Sequence, residues 1–436
     1  MSTEIMVLLG EKRVEKNTRH WLHAIWLQIR IRITYFFDQW AGIKPVFMGI
    51  SGYKSPFRPK NCPDYDIITR LGFVFIWIFT AALRECFAIP YFLSCKLGLM
   101  SMVNVVHKWL SDRLEAQFKA KGYTEAQREV PIPEYDWEKG SPEEFYDMFV
   151  KVPHPVILRN FMKDSDLTKT MTWKNILEKY GDEDVLLTRK ELDGYPGKLR
   201  DVEDPAVYLH NSEKLFNKYP EIRNLFEYDK LEDYLTMKVG YEQLFIGKEG
   251  TGTPFHNAAV YNMFYMIDGK KKWWFVDPYD TFLAYPICVL GRAASIIGCL
   301  WPHEYNVEAF PLFKYCPVYY AEVGPGDVLF NPPWWWHSIK NSATKTVGVA
   351  SRWHTDGIVG HKGVMSEEDY DIYRFGSFAF LNGLASWRFL HGILQEPSPK
   401  FDEHATLRET NNRFVHKQIK ISEAGGVEVG GVMCKF

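Results

Sequence analysis

Residues 253–278 read TPFHNAAVYNMFYMIDGKKKWWFVDP. A Thr-Pro-x-His turn opens it. Two apolar, aromatic runs follow, separated by Asp268-Gly269, a dipeptide that favours a tight reversal between strands. The spacing predicts a hairpin, with His256 beginning the first strand. His256, Ala258, Asn262 and Phe264 share strand parity, which predicts one common face. Lys271 starts the return strand on the same side, between Lys270 and Lys272.

Strand-and-turn patterning continues outward from that stretch. YEQLFIG (241–247) precedes it; VYYAEV (318–323), GDVLFNP (326–332), HSIKNS (337–342) and KTVGVASRW (345–353) follow. Upstream the pattern is helical. SPEEFYDMF (141–149) has Ser141 as an N-cap, Pro142 at the first helical position and acids in the first turn. TWKNILEKYGDEDVLLTR (172–189) reads as helix, Gly stop and strand, and 101–121 as a helix ending at Gly122. Short strands after an α-rich lead-in predict a mainly β chain, a double-stranded β-helix or jelly-roll barrel with an α-helical N-terminal region and flanking helices.

Bulk properties narrow the class. The chain has 436 residues, 46% hydrophobic and 24% charged, enough for a full core in one large or two modest domains. Its net charge of −2 gives no reason to expect nucleic acid. Seven scattered cysteines form no CxxC pair, which points to reduced thiols. Aromatic content is 16%, suited to an aromatic-lined pocket or a membrane interface. The first 70 residues carry eleven Lys and Arg against six Asp and Glu, and RHWLHAIWLQIRIRITYFFDQW (19–40) is aromatic and amphipathic. Residues 71–83 are uncharged and too few to span a bilayer; Arg84-Glu85 and then CFAIPYFLSC (86–95) follow. These features predict monotopic or single-span membrane association, with a buried helical hairpin as the competing reading. The expected organisation is a basic region at 1–70, an apolar membrane-associated segment and helix at 71–121, a catalytic domain at 130–395 and a C-terminal tail at 396–436, whose last segment, EAGGVEVGGVMCKF, is Gly-rich and expected to be flexible.

His337 lies in GDVLFNPPWWWHSIKN, 81 residues after His256. A jelly-roll pairs its second and seventh strands, so such distant histidines can share a metal. PVILRNF (155–161), the WKNILEKYGDEDV segment, IGKEGTGTPFH, NMFYMIDGKKKWWFVDP, PGDVLFNPPWWWH and SRW, in this order and spacing, resemble the JmjC/cupin-like Fe(II)- and 2-oxoglutarate-dependent oxygenases, nearest the asparaginyl hydroxylase branch. The resemblance covers about half the chain, residues 150 to 357. It implies His256 and His337 as ligands of Fe(II), two members of a facial triad. It also implies 2-oxoglutarate contacts at Thr253, Asn262 and Lys271, with Ser351 as a further polar residue of the site and Arg352, of opposite parity, as a second partner for the carboxylate.

One position departs from that pattern. Ala258 stands where the family places an Asp or Glu ligand. Three readings follow: a pseudoenzyme without iron; a hydroxylase of a lipid or protein with a substitute ligand; or an open site for a halide, as in non-haem iron halogenases, with chloride as co-substrate. Decay rarely removes one ligand and spares the rest, which favours the halogenase. His354-Thr355-Asp356 is a literal His-x-Asp, but it follows the distal histidine, where the family has no ligand. The apolar insert 282–302, FLAYPICVLGRAASIIGCLWP, reads as core packing or as a greasy lid. With the N-terminal segment it predicts a lipid-like or apolar substrate and a catalytic domain on the cytosolic face of the endoplasmic reticulum or another endomembrane. A metal-free interaction module is the reading outside catalysis, and the sequence fixes no oligomeric state.

Overall fold

Runs of Val, Ile, Phe, Tyr and Trp fit a pleated, buried surface, and each stretch read above as strand from residue 155 to 353 contains one. The computed structural model describes residues 55–69, 71–72, 101–189, 193–258, 261–287, 295–298, 300–308 and 310–354, and three short strands within 419–434. In chain order the strands are β1 (Val130–Pro131), β2 (Glu134–Tyr135), β3 (Val156–Leu158), β4 (Asp184–Arg189), β5 (Asp193–Lys198), β6 (Val207–Ser212), β7 (Lys238–Gly247) and β8 (Gly252–Ala258). There follow β9 (Tyr261–Asp268), β10 (Lys271–Val276), β11 (Pro286–Ile287), β12 (Ser295–Gly298), β13 (Tyr319–Val323), β14 (Val328–Asn331), β15 (Trp336–Asn341) and β16 (Thr346–His354). They form two sheets, β1-β13-β10-β15-β8-β12-β11 and β2-β3-β14-β9-β16-β7-β6-β4-β5. Phe245, Phe264, Met266, Leu329 and Ala350 of the second sheet pack with Trp273, Phe275, Tyr319 and Ile339 of the first in one buried cluster. This is the mainly β, jelly-roll architecture that the sequence predicts.

Asp268-Gly269 does not close a hairpin. β9 pairs with β14 and β16, whereas β10 pairs with β13 and β15, so the turn is a corner between the two sheets. Gly269 has φ +75°, and a Cβ there would lie 2.0 Å from the Lys345 carbonyl oxygen; only glycine fits both constraints. Asp268 accepts a hydrogen bond from the Trp173 backbone N–H (3.0 Å), tying the corner to the helix Trp173–Tyr180. His256 and Asn262 likewise occupy different strands in different sheets, β8 and β9, not one continuous strand.

The helix signals hold. Ser141 caps Pro142–Phe145 by accepting from Glu144 N–H at 3.2 Å, and the helix Ser101–Ala120 ends just before Gly122, at φ +76°. The tail, its last segment expected to be flexible, instead contributes a three-stranded antiparallel sheet, Ile419–Ile421, Val427–Val429 and Val432–Cys434. Val429 pairs with Val432.

Packing continues N-terminal of residue 130. Tyr65, Leu110, Leu114 and Phe118 share a buried cluster with Tyr279, Phe313 and Trp336. Asp280, fully buried, accepts from Arg58 Nη2 at 2.8 Å and also from Arg58 Nη1 and the Tyr65 hydroxyl. Asp277 accepts from the Ser55 backbone N–H (3.0 Å), and the Ser55 hydroxyl meets His154 Nδ1 at 2.7 Å. A chain segment 215 or more residues away in sequence is thus stapled to the barrel by buried charge.

The membrane placement is corrected. Among the described residues no helix is long and apolar enough to cross a membrane. Residues 19–40 and all of 71–95 except Leu71 and Gly72 lie outside the described residues.

Candidate metal and co-substrate site

His256 on β8 and His337 on β15 are directly paired across antiparallel strands, and their ring centroids lie 4.2 Å apart. The pairing of distant histidines expected of a jelly-roll is thus present. Each ring makes the same local contact. His256 Nδ1 meets the Pro254 carbonyl at 2.8 Å, and His337 Nδ1 meets the Trp335 carbonyl at 2.8 Å. A carbonyl only accepts, so in both rings Nδ1 carries the proton and Nε2 the lone pair, the tautomer a metal ligand needs. His337 is buried, and desolvation holds its pKa down at about 4, so it stays neutral at physiological pH.

A strand irregularity explains the Thr-x-x-His spacing. Residues three apart on a regular strand face opposite sides. Here His337 pairs with His256 but Ile339 pairs with Thr253, so Pro254 and Phe255 oppose Ser338 alone. This bulge brings Thr253 and His256 to one pocket. Phe255 packs outward against Trp336 and Phe313, with ring centroids 5.2 and 6.2 Å apart.

The pocket is lined by aromatic residues together with Tyr208, Thr253, Asn262, Lys271 and Arg352 beside the two histidines. No Asp or Glu lines it. Lys271 is the lysine that enters; it is fully buried, while Lys270 is exposed and bridges to Glu322 at 3.4 Å. Lys271 Nζ donates to Asn341 Oδ1 at 2.5 Å and lies 5.4 Å from the Tyr208 ring and 5.7 Å from that of Phe264. Around it, Asn262 Oδ1 is buried with no formed hydrogen bond, and the buried Tyr208 hydroxyl faces Thr253. Buried polar groups beside a buried ammonium form a cradle for an anionic, oxygen-rich ligand.

Ser351 lies elsewhere. Its hydroxyl donates to the Met263 carbonyl (3.2 Å) and accepts from Trp353 Nε1 (2.7 Å). Arg352 takes the pocket side, because the β16–β9 register sets Arg352 opposite Asn262 and Ser351 opposite Met263. Arg352, despite its opposite parity, is therefore the residue that enters, not Ser351. Ala258 ends β8, opposite Ser295 on β12. Among the described residues no group of three or more His, Cys, Asp or Glu could hold a metal, so no carboxylate there replaces the missing ligand. Asp356 lies outside the described residues, and of His354 only the backbone at the end of β16 is described. The described parts of the apolar insert extend the sheet through β11 and β12 or, as Leu283, Ala284 and Leu300, sit in the core. That is the core-packing reading; residues 288–294 lie outside the described residues.

One pocket residue, Tyr208, and one neighbour of His337, Asn331, escaped the sequence reading. Tyr208 comes from β6, outside every motif stretch, and nothing in its spacing marks it. Asn331 ends β14, with Nδ2 3.3 Å from each nitrogen of His337 and Oδ1 buried without a partner. Its signal was present: a buried Asn closing the otherwise apolar strand VLFN.

Burial depresses the Lys271 ammonium to about 7, against about 10.4 in an unfolded chain. A dianionic ligand needs the charged form. Below pH 7 the ammonium is already protonated; above it, binding must take up a proton. Affinity for 2-oxoglutarate is therefore expected to fall roughly tenfold per pH unit above 7 until the pKa of the complex is reached. Titrations at pH 6, 7 and 8, followed by quenching of tryptophan fluorescence, check this; a flat profile would remove Lys271 from the contact.

A jelly-roll with paired metal-competent imidazoles at an acid-free, cationic pocket defines a cupin-type domain. Residues 189–357 match the family described as a cupin-like domain, and the chain is similar in part to proteins named for the JmjC domain. The human protein named HSPB1-associated protein 1 is 27% identical over 159 residues, 36% of this chain and 33% of that protein. Jumonji C domain-containing protein 5 of Drosophila melanogaster is 30% identical over 100 residues, 22% of this chain and 24% of the relative. Arginine-specific demethylase JMJ20 of Arabidopsis thaliana is 27% identical over 115 residues, 26% of this chain and 24% of its own length. The similarity thus spans about a third or less of these relatives.

Proposed function

We propose that this chain is an Fe(II)- and 2-oxoglutarate-dependent enzyme that functionalises C–H bonds of an apolar small molecule or lipid, and that chloride occupies the coordination position opened by Ala258. Bound iron and co-substrate would supply the oxidising power. His256 and His337 would hold the ion through Nε2. Thr253, Tyr208 and Lys271 would hold the far carboxylate, with Asn262 beside the chelating end. One observation carries the reading: a pocket with two lone-pair imidazoles and two buried cations has no lining carboxylate. Such a site favours added anions. Phe245, Phe264 and Trp273 in its wall support an apolar substrate.

Anaerobic titration with Fe(II) and 2-oxoglutarate is expected to give the weak visible band of the chelate, and chloride to shift it. Without a band in the wild-type chain, a metal-free interaction module would be the better reading. Hydroxylation is the second reading, favoured by the demethylase among the relatives. Ala258→Asp separates the two. In a halogenase it supplies the missing ligand and is expected to abolish chlorinated product, with at least a hundredfold drop in the chlorinated-to-hydroxylated ratio by mass spectrometry. Unchanged products would reject the halide.

A further inference from the structure

Arg352 is the buried cation that the co-substrate contacts leave unused. It sits on β16 opposite Asn262, is 8% exposed, and lines the same pocket as the two histidines. Its Nε donates to Gln243 Oε1 at 3.1 Å, and its Nη1 is buried with no hydrogen-bond partner. Gln243 Nε2 in turn donates to Glu213 Oε1 at 3.3 Å, so the amide stands between the guanidinium and that acid. A guanidinium is a rigid fork of five donors suited to anions. One buried with a dangling N–H is costly unless a ligand completes it.

We propose that Arg352 forms a second anion subsite, separate from the far-carboxylate position at Lys271, which takes a small monoanion: a free halide or the carboxylate of the organic substrate. Charge balance sets the number. In the metal-free chain Lys271 and Arg352 carry two positive charges. Glu213 neutralises one, leaving one for a single monoanion. The use made of that anion rests on the proposed iron-dependent function, but the subsite itself rests on the guanidinium.

The test is ³⁵Cl NMR line broadening by the full-length, metal-free chain. Wild type is expected to broaden the chloride line saturably, and Arg352→Gln to weaken that binding at least tenfold while changing 2-oxoglutarate affinity less than threefold. Asn262→Asp, which sets a carboxylate opposite the guanidinium, is expected to remove the broadening as well and serves if the first variant does not fold. Displacement by acetate as well as bromide assigns the subsite to a carboxylate; displacement by bromide alone assigns it to a halide. Wild-type broadening in both variants overturns the proposal. So does an equal loss of chloride and 2-oxoglutarate binding in Arg352→Gln, which would hand Arg352 to the co-substrate. A missing ferrous chelate band in wild type would defeat the enzymatic reading alone, since the chloride experiment contains no metal.

Discussion

His256→Ala and His337→Ala are each expected to weaken divalent metal binding by at least about a hundredfold, because two imidazoles are the metal-competent side chains the fold brings together and the pocket offers no carboxylate in reserve. Cobalt(II) titration followed by its d–d absorption reads this without turnover. The two variants should differ in stability. His256 is half-buried, whereas His337 lies buried, with its ring centroid 5.8 Å from that of Trp273 and 6.2 Å from that of Phe275. Removing the second ring leaves a cavity, expected to cost on the order of 2–3 kcal/mol; removing the first, under about 1 kcal/mol. Wild-type cobalt affinity in either variant would refute the shared site.

Lys271→Met should give opposite signs for binding and folding. Loss of the ammonium removes the charge that meets the far carboxylate, and 2-oxoglutarate affinity is expected to drop at least about a hundredfold. Stability should rise. The native pKa, about 7, lies below the unfolded value, so the unfolded chain binds more protons between pH 7 and about 10.4. The cost of the buried charge is therefore fully present below pH 7 and fades as pH rises through that window. At pH 6 the methionine variant is expected to unfold about 2 kcal/mol less readily, after allowing for the hydrogen bond lost by Asn341. At pH 10 the advantage should nearly vanish. Urea denaturation at the two pH values measures both; a variant destabilised at pH 6 would show that Lys271 serves the fold instead.

The histidine pair was legible because its signal is local and redundant. A turn motif marks His256, a strand and double proline mark His337, and a jelly-roll brings such strands together. Lys271 was legible to within one residue, and burial resolved it. Three features were hidden for physical reasons. The bulge at Pro254-Phe255 breaks period two, so parity counted along the strand misassigns faces. The Asp268-Gly269 corner has hairpin chemistry, but both flanking runs are buried and bond to different sheets. Arg352 displaced Ser351 because register with β9, set across strands, decides which side chain enters the pocket. No single-strand pattern carries that information. The membrane expectation came from basic charge, an aromatic amphipathic pattern and apolar runs before residue 96, and among the described residues no helix meets the length and apolarity required.

The staple between Arg58, Tyr65 and Asp280 sets the smallest fragment worth making. Cutting the chain down to 189–357, where family similarity ends, would strip a fully buried carboxylate of its guanidinium and phenol and deprive Asp277 of the Ser55 amide. Both acids sit in the turn that follows β10, whose opposite end carries Lys271. Expression boundaries for this domain therefore belong upstream of residue 55, well before the family match begins at residue 189.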